Sequence, residues 1–182
     1  AALYERILGQ VDQQAYLALA DVVDPDQKEG MLTIEAVIRD PNKTAEECEH
    51  VIRHLHSVGN IDVIHMLSAL HVLAASPKVN DLQLAAQYAT EQEMAAMELG
   101  GPRLQDNLAS VDRHRGVLAY LQNHYEIALD YFSRAFERQH SAGNLSNVLA
   151  TLIRLGDVSE ARTLVEQVRS SLSSDLVSDL NQ

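Results

Sequence analysis

Apolar residues recur along this chain at steps of three and four, and turn residues interrupt them at short intervals. Leu3, Ile7, Val11, Ala15, Leu19 and Val22 share one helical face, so the pattern predicts a first helix over Leu3 to Val22. Asp24-Pro25 then offers an N-cap and a first-turn proline for a helix to about Arg39, which Asp40-Pro41 ends. Thr44 with Glu47 reads as a capping box ahead of Cys48, Val51, Ile52 and Leu55. Gly59-Asn60 closes that helix, and Ile61 to about Ala75 is apolar on most sides, so it is expected to be well buried.

Ser76-Pro77 breaks the chain again, and Asn80 with Gln83 predicts the cap of a long helix through Leu99. Gly100-Gly101-Pro102 ends it. Leu104, Leu108, Val111, Leu118 and Leu121 mark the next helix, and Tyr125, Ala128, Leu129, Phe132, Ala135 and Phe136 mark its partner, capped by Asn123 and Glu126. Ser141 to Asn144 turns the chain into a helix carrying Leu145, Val148, Leu149, Leu152 and Ile153. Leu155-Gly156-Asp157 turns it back into Val158, Ala161, Leu164, Val165 and Val168. Leu172, Leu176 and Leu180 share four-residue spacing, so residues 171–182 are expected to form a capping helix or a frayed tail. These elements predict an all-α fold of nine to ten helices in one domain spanning residues 1–182.

Two of the helix pairs repeat. Gly156, Val158, Ala161, Val165 and Val168 follow Asn123, Tyr125, Ala128, Phe132 and Ala135 by 33 positions. The order Gly116, Ala119, Tyr125, Ala128, Phe132, Ala135 resembles a tetratricopeptide (TPR) repeat, whose period is about 34. The pattern's Trp and Leu fall on Asp112 and Arg115, and its closing Pro on His140. An earlier, more divergent pair is suggested by Leu82, Ala85, Tyr88 and Ala89, so the resemblance covers residues 60–170, with 1–59 as divergent helices. It implies antiparallel pairs stacked as a right-handed solenoid. It also implies a concave groove lined by the first helix of each pair: Ser110, Arg113, His114, Val117 and Tyr120, then Ser146, Asn147, Ala150 and Ile153. The lysine clamp of chaperone-binding TPRs is not matched, since Val117 stands where that clamp has Asn.

The turns at 98–105 and 141–144 are similar to those of extended TPR arrays in large bacterial transcriptional activators. That resemblance implies a regulatory module that takes a protein, peptide or small inducer, with DNA binding supplied elsewhere in a longer chain. A stand-alone scaffold is the alternative. The start at Ala1, already within a helical pattern, suits a piece of a larger protein. An apolar end left by an incomplete stack also allows a homodimer.

Composition narrows the partners. A formal charge of -12 and a pI near 4.9 oppose contact with a phosphate backbone, so no direct nucleic-acid binding is expected. Aromatics are only 4%, so helices are expected to approach through small side chains. Cys48 stands alone, no apolar run is long enough for a membrane span, and a cytoplasmic setting is expected.

Candidate chemistry is sparse. His50 and His54, four apart and near Glu46 and His56, have the spacing of two ligands for one metal, although the Glu of a zinc-protease motif is missing. His65 and His71 lie in the most apolar helix and are expected to be satisfied core histidines, with a ligand contact open to His71. There is no phosphate loop, dinucleotide fingerprint or nucleophile elbow. The sequons at Asn42 and Asn144 coincide with helix starts, where Asn, Ser and Thr are expected anyway. No catalytic residue, metal or cofactor is assigned.

Overall fold

Four of the described helices begin where a side chain accepts a first-turn N–H that the helix leaves open. The computed structural model describes residues 25–179, with side chains over 27–168. It contains α1 (Pro25–Arg39), α2 (Ala45–Ser57), α3 (Val63–Ala75), α4 (Leu82–Leu99), α5 (Leu104–Leu121), α6 (Tyr125–Arg138), α7 (Ala142–Leu155) and α8 (Val158–Asp179). There is no strand among the described residues. The helix predicted over Leu3 to Val22 lies outside them. Residues 171–179, read from sequence as part of a capping helix or tail, continue α8, because no Gly or Pro after Gly156 ends the helix before Asp179. Eight helices therefore stand among the described residues, where nine to ten were expected of the whole chain.

The caps explain the starts. Thr44 Oγ1 accepts the Glu47 N–H at 3.2 Å while the Thr44 N–H donates to Glu47 Oε2 at 2.8 Å, the reciprocal pair predicted for α2. α3 starts two residues later than Ile61 because Asp62 Oδ1 accepts the His65 N–H at 2.9 Å. Asp81, rather than Asn80, caps α4 by accepting from Gln83 and Leu84. α7 starts earlier than Leu145, on Ser141, which accepts from Asn144.

Asn123 does not cap α6; it ends α5. Its φ of 62° is left-handed, the His124 N–H donates to Ala119 O at 2.9 Å, and its own N–H donates to Tyr120 O at 3.0 Å. Gly156, 33 residues on, repeats this turn with φ 91° and the same two bonds to Ile153 O and Leu152 O. The sequence period is thus a period of turn geometry.

Neighbouring helices pack in succession, and α1 also touches α3, as α3 touches α5. One apolar core joins α1, α2 and α3 through Met31, Ile34, Cys48, Ile52, Leu70 and Leu73. A second joins α5 to α8 through Ala119, Ala128, Phe132, Val148, Leu152 and Ala161. Buried alanines let the helices come close: Ala85, Ala89, Ala96 and Ala135 are all fully enclosed. Cys48 is buried, and its thiol donates to Val37 O at 3.4 Å.

The two positions where the repeat pattern has Trp and Leu carry ion pairs. Asp112, 4% exposed, accepts from Arg138 Nε at 2.9 Å and lies 3.8 Å from Arg134, which ties α5 to α6. Arg115 holds Glu93 of α4 with both nitrogens, at 3.2 and 2.6 Å, and this keeps the Glu93 carboxyl below the ordinary carboxylate range. Both partners of this second pair reach solvent. Arg115→Leu is therefore expected to change the unfolding free energy by less than about 1 kcal/mol in a urea melt, because a solvated pair is worth about that much. A loss several times larger would show that the pair holds α4 and α5 together.

Candidate functional site

Helical spacing builds one wall of a cleft from each odd-numbered helix. The last turns of α1 supply Glu35, Ile38 and Arg39; α3 supplies Ser68, Val72 and Ala75, followed by Ser76 and Pro77. α5 adds Arg113, His114, Val117 and Leu121, and α7 adds Asn147. The steps Ser68, Val72, Ala75 and Arg113, Val117, Leu121 each follow one helix face, so two stripes run side by side into the opening. The cleft encloses ≈ 340 Å³, within the range of small-ligand sites.

Its lining mixes polar and apolar groups along its whole length: Ser68, Arg113, His114 and Asn147 lie in the middle of the wall, and Glu35, Ile38, Arg39, Val72, Ala75, Ser76, Val117 and Leu121 lie toward or just past the C-terminal ends of their helices. Arg39 pairs with Glu35 at 3.0 Å, and Arg113 Nη2 donates to Ser110 Oγ at 3.3 Å.

Beneath this wall lies a buried polar layer shared by α3, α4 and α5. The imidazoles of His71 and His114 stack with centroids 4.1 Å apart and 17° between planes. His71 Nδ1 faces Ala85 O at 2.9 Å, and a carbonyl only accepts, so Nδ1 carries the proton. His114 Nδ1 faces Gln92 Oε1 at 2.9 Å, which leaves His114 Nε2 to accept from the Ser68 hydroxyl at 3.3 Å. Gln92 Nε2 in turn reaches Ser110 Oγ at 3.4 Å. Burial pushes His71 down to about 4, offset in part by its bond to Ala85 and reinforced by the Arg113 charge. Burial, with His71 and Arg113 nearby, drives His114 well down in the same direction. Both rings are neutral near pH 7.

Ser68, His114 and Gln92 follow the bonding order of a nucleophile, a base and an orienting group. Ser68, however, sits inside α3, where the nearby N–H groups are committed to the helix ladder and cannot line an oxyanion site. The arrangement is that of a satisfied internal network, as expected for His71.

The groove residues read from sequence separate into three groups. Arg113, His114, Val117 and Asn147 meet in the cleft. Ser110 is buried beside it, in the polar layer and a smaller recess of ≈ 40 Å³. Tyr120 turns into the second apolar core, edge-on to Tyr125 at 5.1 Å, with its hydroxyl enclosed. Ser146 and Ala150 are half-buried on α7 outside the cleft lining, and Ile153 is exposed. The α1 and α3 walls were not anticipated, nor was Gln92. Its signal was a polar residue at the helical spacing of the seam Ala85, Ala89, Ala96.

His50 and His54 are exposed, with ring centroids 6.5 Å apart. His56 turns away, its Nδ1 3.1 Å from Ile61 O. No group of three His, Cys, Asp or Glu side chains placed to hold a metal ion occurs among the described residues. No described helix is long and apolar enough to cross a membrane. Comparison with known protein families, curated proteins and solved structures found no match to this chain.

Proposed function

We propose that this chain is a binding module of the TPR-like kind, and that the cleft between α1, α3, α5 and α7 is where its ligand or partner sits. The observation that carries this reading is the cleft itself: four helices distant in sequence present Arg39, Val72, Arg113 and Asn147 to one opening. A right-handed stack of helix pairs accounts for the contacts of α3 with both α1 and α5 and for the repeated turns at Asn123 and Gly156. The role is regulatory: the module receives a protein, peptide or small inducer and belongs to a larger bacterial transcriptional regulator working in the cytoplasm. Its charge of -12 leaves DNA contact to another part of that regulator.

Val72 lines the cleft and lies outside the apolar cores, so Val72→Trp fills the opening without removing core contacts. Native lysate is passed over the parent chain and over Val72→Trp, with folding checked by circular dichroism and retained proteins and small molecules identified by mass spectrometry. The expected result is a species held by the parent and reduced at least about tenfold by the variant, the loss that follows when a site of this size is blocked. Equal retention by the folded variant would place binding elsewhere.

A further inference from the structure

α1 is held unevenly along its length. Near its start, Gly30 lies so close to the loop before α3 that a Cβ would stand 2.8 Å from Ile61 Cγ2 and 2.9 Å from Asn60 O. Met31 and Ile34 follow, both enclosed in the first core. Beyond them burial falls away: Glu35, Val37 and Ile38 are half-buried, and Ala36 and Arg39 are exposed. This looser end supplies Glu35, Ile38 and Arg39 to the cleft.

Lys78 ties that end down. The turn after α1 is closed on itself, since the Lys43 N–H donates to Asp40 O at 3.1 Å and the Asn42 N–H to Asp40 Oδ1 at 2.9 Å. The turn after α3 is closed as well: the Asn80 and Asp81 N–H groups donate to Ser76 O and Ala74 O at 2.8 and 2.9 Å, and Val79 packs on the first core. Across these two finished turns, Lys78 Nζ donates to Asp40 O at 2.7 Å and to Lys43 O at 2.6 Å, 38 and 35 residues away. Asp40 directly follows α1, and Lys78 directly follows Ser76 and Pro77 of the cleft lining. The cation therefore sits at the negative end of the α1 dipole, in charge-assisted bonds that replace the water a half-buried ammonium gives up.

We infer that Lys78 is a latch that sets the width of the cleft. While its bonds to Asp40 and Lys43 hold, the last turns of α1 stay against the end of α3. When they break, α1 pivots on the close contact at Gly30, and the wall carrying Glu35, Ile38 and Arg39 moves away from α5. The latch regulates binding because a widened cleft no longer meets its occupant from all walls at once, a consequence that rests on the cleft being the binding site.

The test is the distance between nitroxide labels on Ala36→Cys and Gln122→Cys, exposed positions on α1 and just past α5 that lie outside the cleft lining, measured by pulsed electron resonance on the 182-residue chain. Cys48 is buried, which keeps the label off it. Lys78→Met is expected to lengthen the distance by about 2 Å or more, the scale of a hinge movement. Lys78→Gln, neutral and shorter, gives the same widening and guards against a folding defect in the first variant. Lys43→Met removes a cation of the turn after α1 that pairs with the exposed Glu47 at 3.2 Å, and it leaves the distance unchanged. A distance unaltered by both Lys78 variants, or lengthened equally by Lys43→Met, overturns the latch. For the consequence on binding, a lysate species lost on Val72→Trp is expected to fall at least about fivefold on the folded Lys78→Met chain, the drop that follows when the competent width is populated less than about a fifth of the time. Undiminished recovery of that species beside a lengthened distance overturns the regulatory role. Equal retention by the parent and Val72→Trp removes the cleft as the site, and the label distances then decide the latch by themselves.

Discussion

Gly116→Ala is expected to destabilise the fold by about 2 kcal/mol, although Gly to Ala within a helix ordinarily stabilises by about 1 kcal/mol. The inversion follows from one contact. A Cβ at residue 116 of α5 would stand 2.6 Å from both Cδ1 and Cε1 of Phe132 and 3.0 Å from its Cζ, well inside the roughly 3.5–4.0 Å of favourable carbon contact. Phe132 cannot easily move aside: it is 4% exposed and packed among Ala119, Ala128, Val148 and Leu152. Phe132→Leu removes the ring and is expected to cost about 1–2 kcal/mol alone. On the Gly116→Ala background it should cost far less, giving a coupling of about 1 kcal/mol or more in a double-mutant cycle. Urea unfolding of the four proteins measures it. Stabilisation by Gly116→Ala, or additive losses, would mean that α5 and α6 do not meet at this distance.

Acid is expected to weaken the fold before its carboxylates titrate. His71 titrates at about 4 in the folded chain against 6.5 unfolded, and His114 is shifted the same way. A histidine with a lowered folded pKa binds its proton more readily when unfolded, so its contribution is fully present above pH 6.5 and is lost as pH falls toward the folded value. For His71 the gap corresponds to roughly 3 kcal/mol. Between pH 6.5 and 5 the unfolding free energy should therefore drop, with a slope approaching that of two protons, about 2.7 kcal/mol per pH unit. Asp62, Glu47 and Glu93 have lowered carboxyl pKa values and lose their contributions only at still lower pH. His71→Asn keeps a donor for Ala85 O and removes the titrating group. Unfolding at several pH values should then show about half the parent's slope, and an undiminished slope would exclude His71 as its source.

Helices and their ends were legible because they are local. Thr44 and Glu47 announce α2 from four residues, and the spacing from Asn123 to Gly156 announces a repeated turn. Local chemistry also misleads locally: asparagine suits both an N-cap and a left-handed helix end, and at Asn123 the second use prevails, with Tyr125 donating to its side chain at 2.7 Å. The cleft was legible only in part. Arg113, His114 and Val117 share one helix face, so periodicity groups them. Arg39 and Val72 join them only through the packing of α1 on α3 and α3 on α5, and no local pattern encodes it. Tyr120 shows the converse, since one helical step past Val117 turns its ring into the second core.

The polar layer beneath the cleft also acts as an index mark. Apolar faces tolerate sliding, because one leucine replaces another with little loss, but a bond from His114 Nδ1 to Gln92 Oε1 exists at one alignment of α4 and α5. A shift of one helical turn would leave His71, Gln92 and His114 enclosed without partners. The stacked imidazoles therefore fix how far α3 stands from α5, and the bore of the cleft above them is gauged by two rings rather than left to the give of an oily seam.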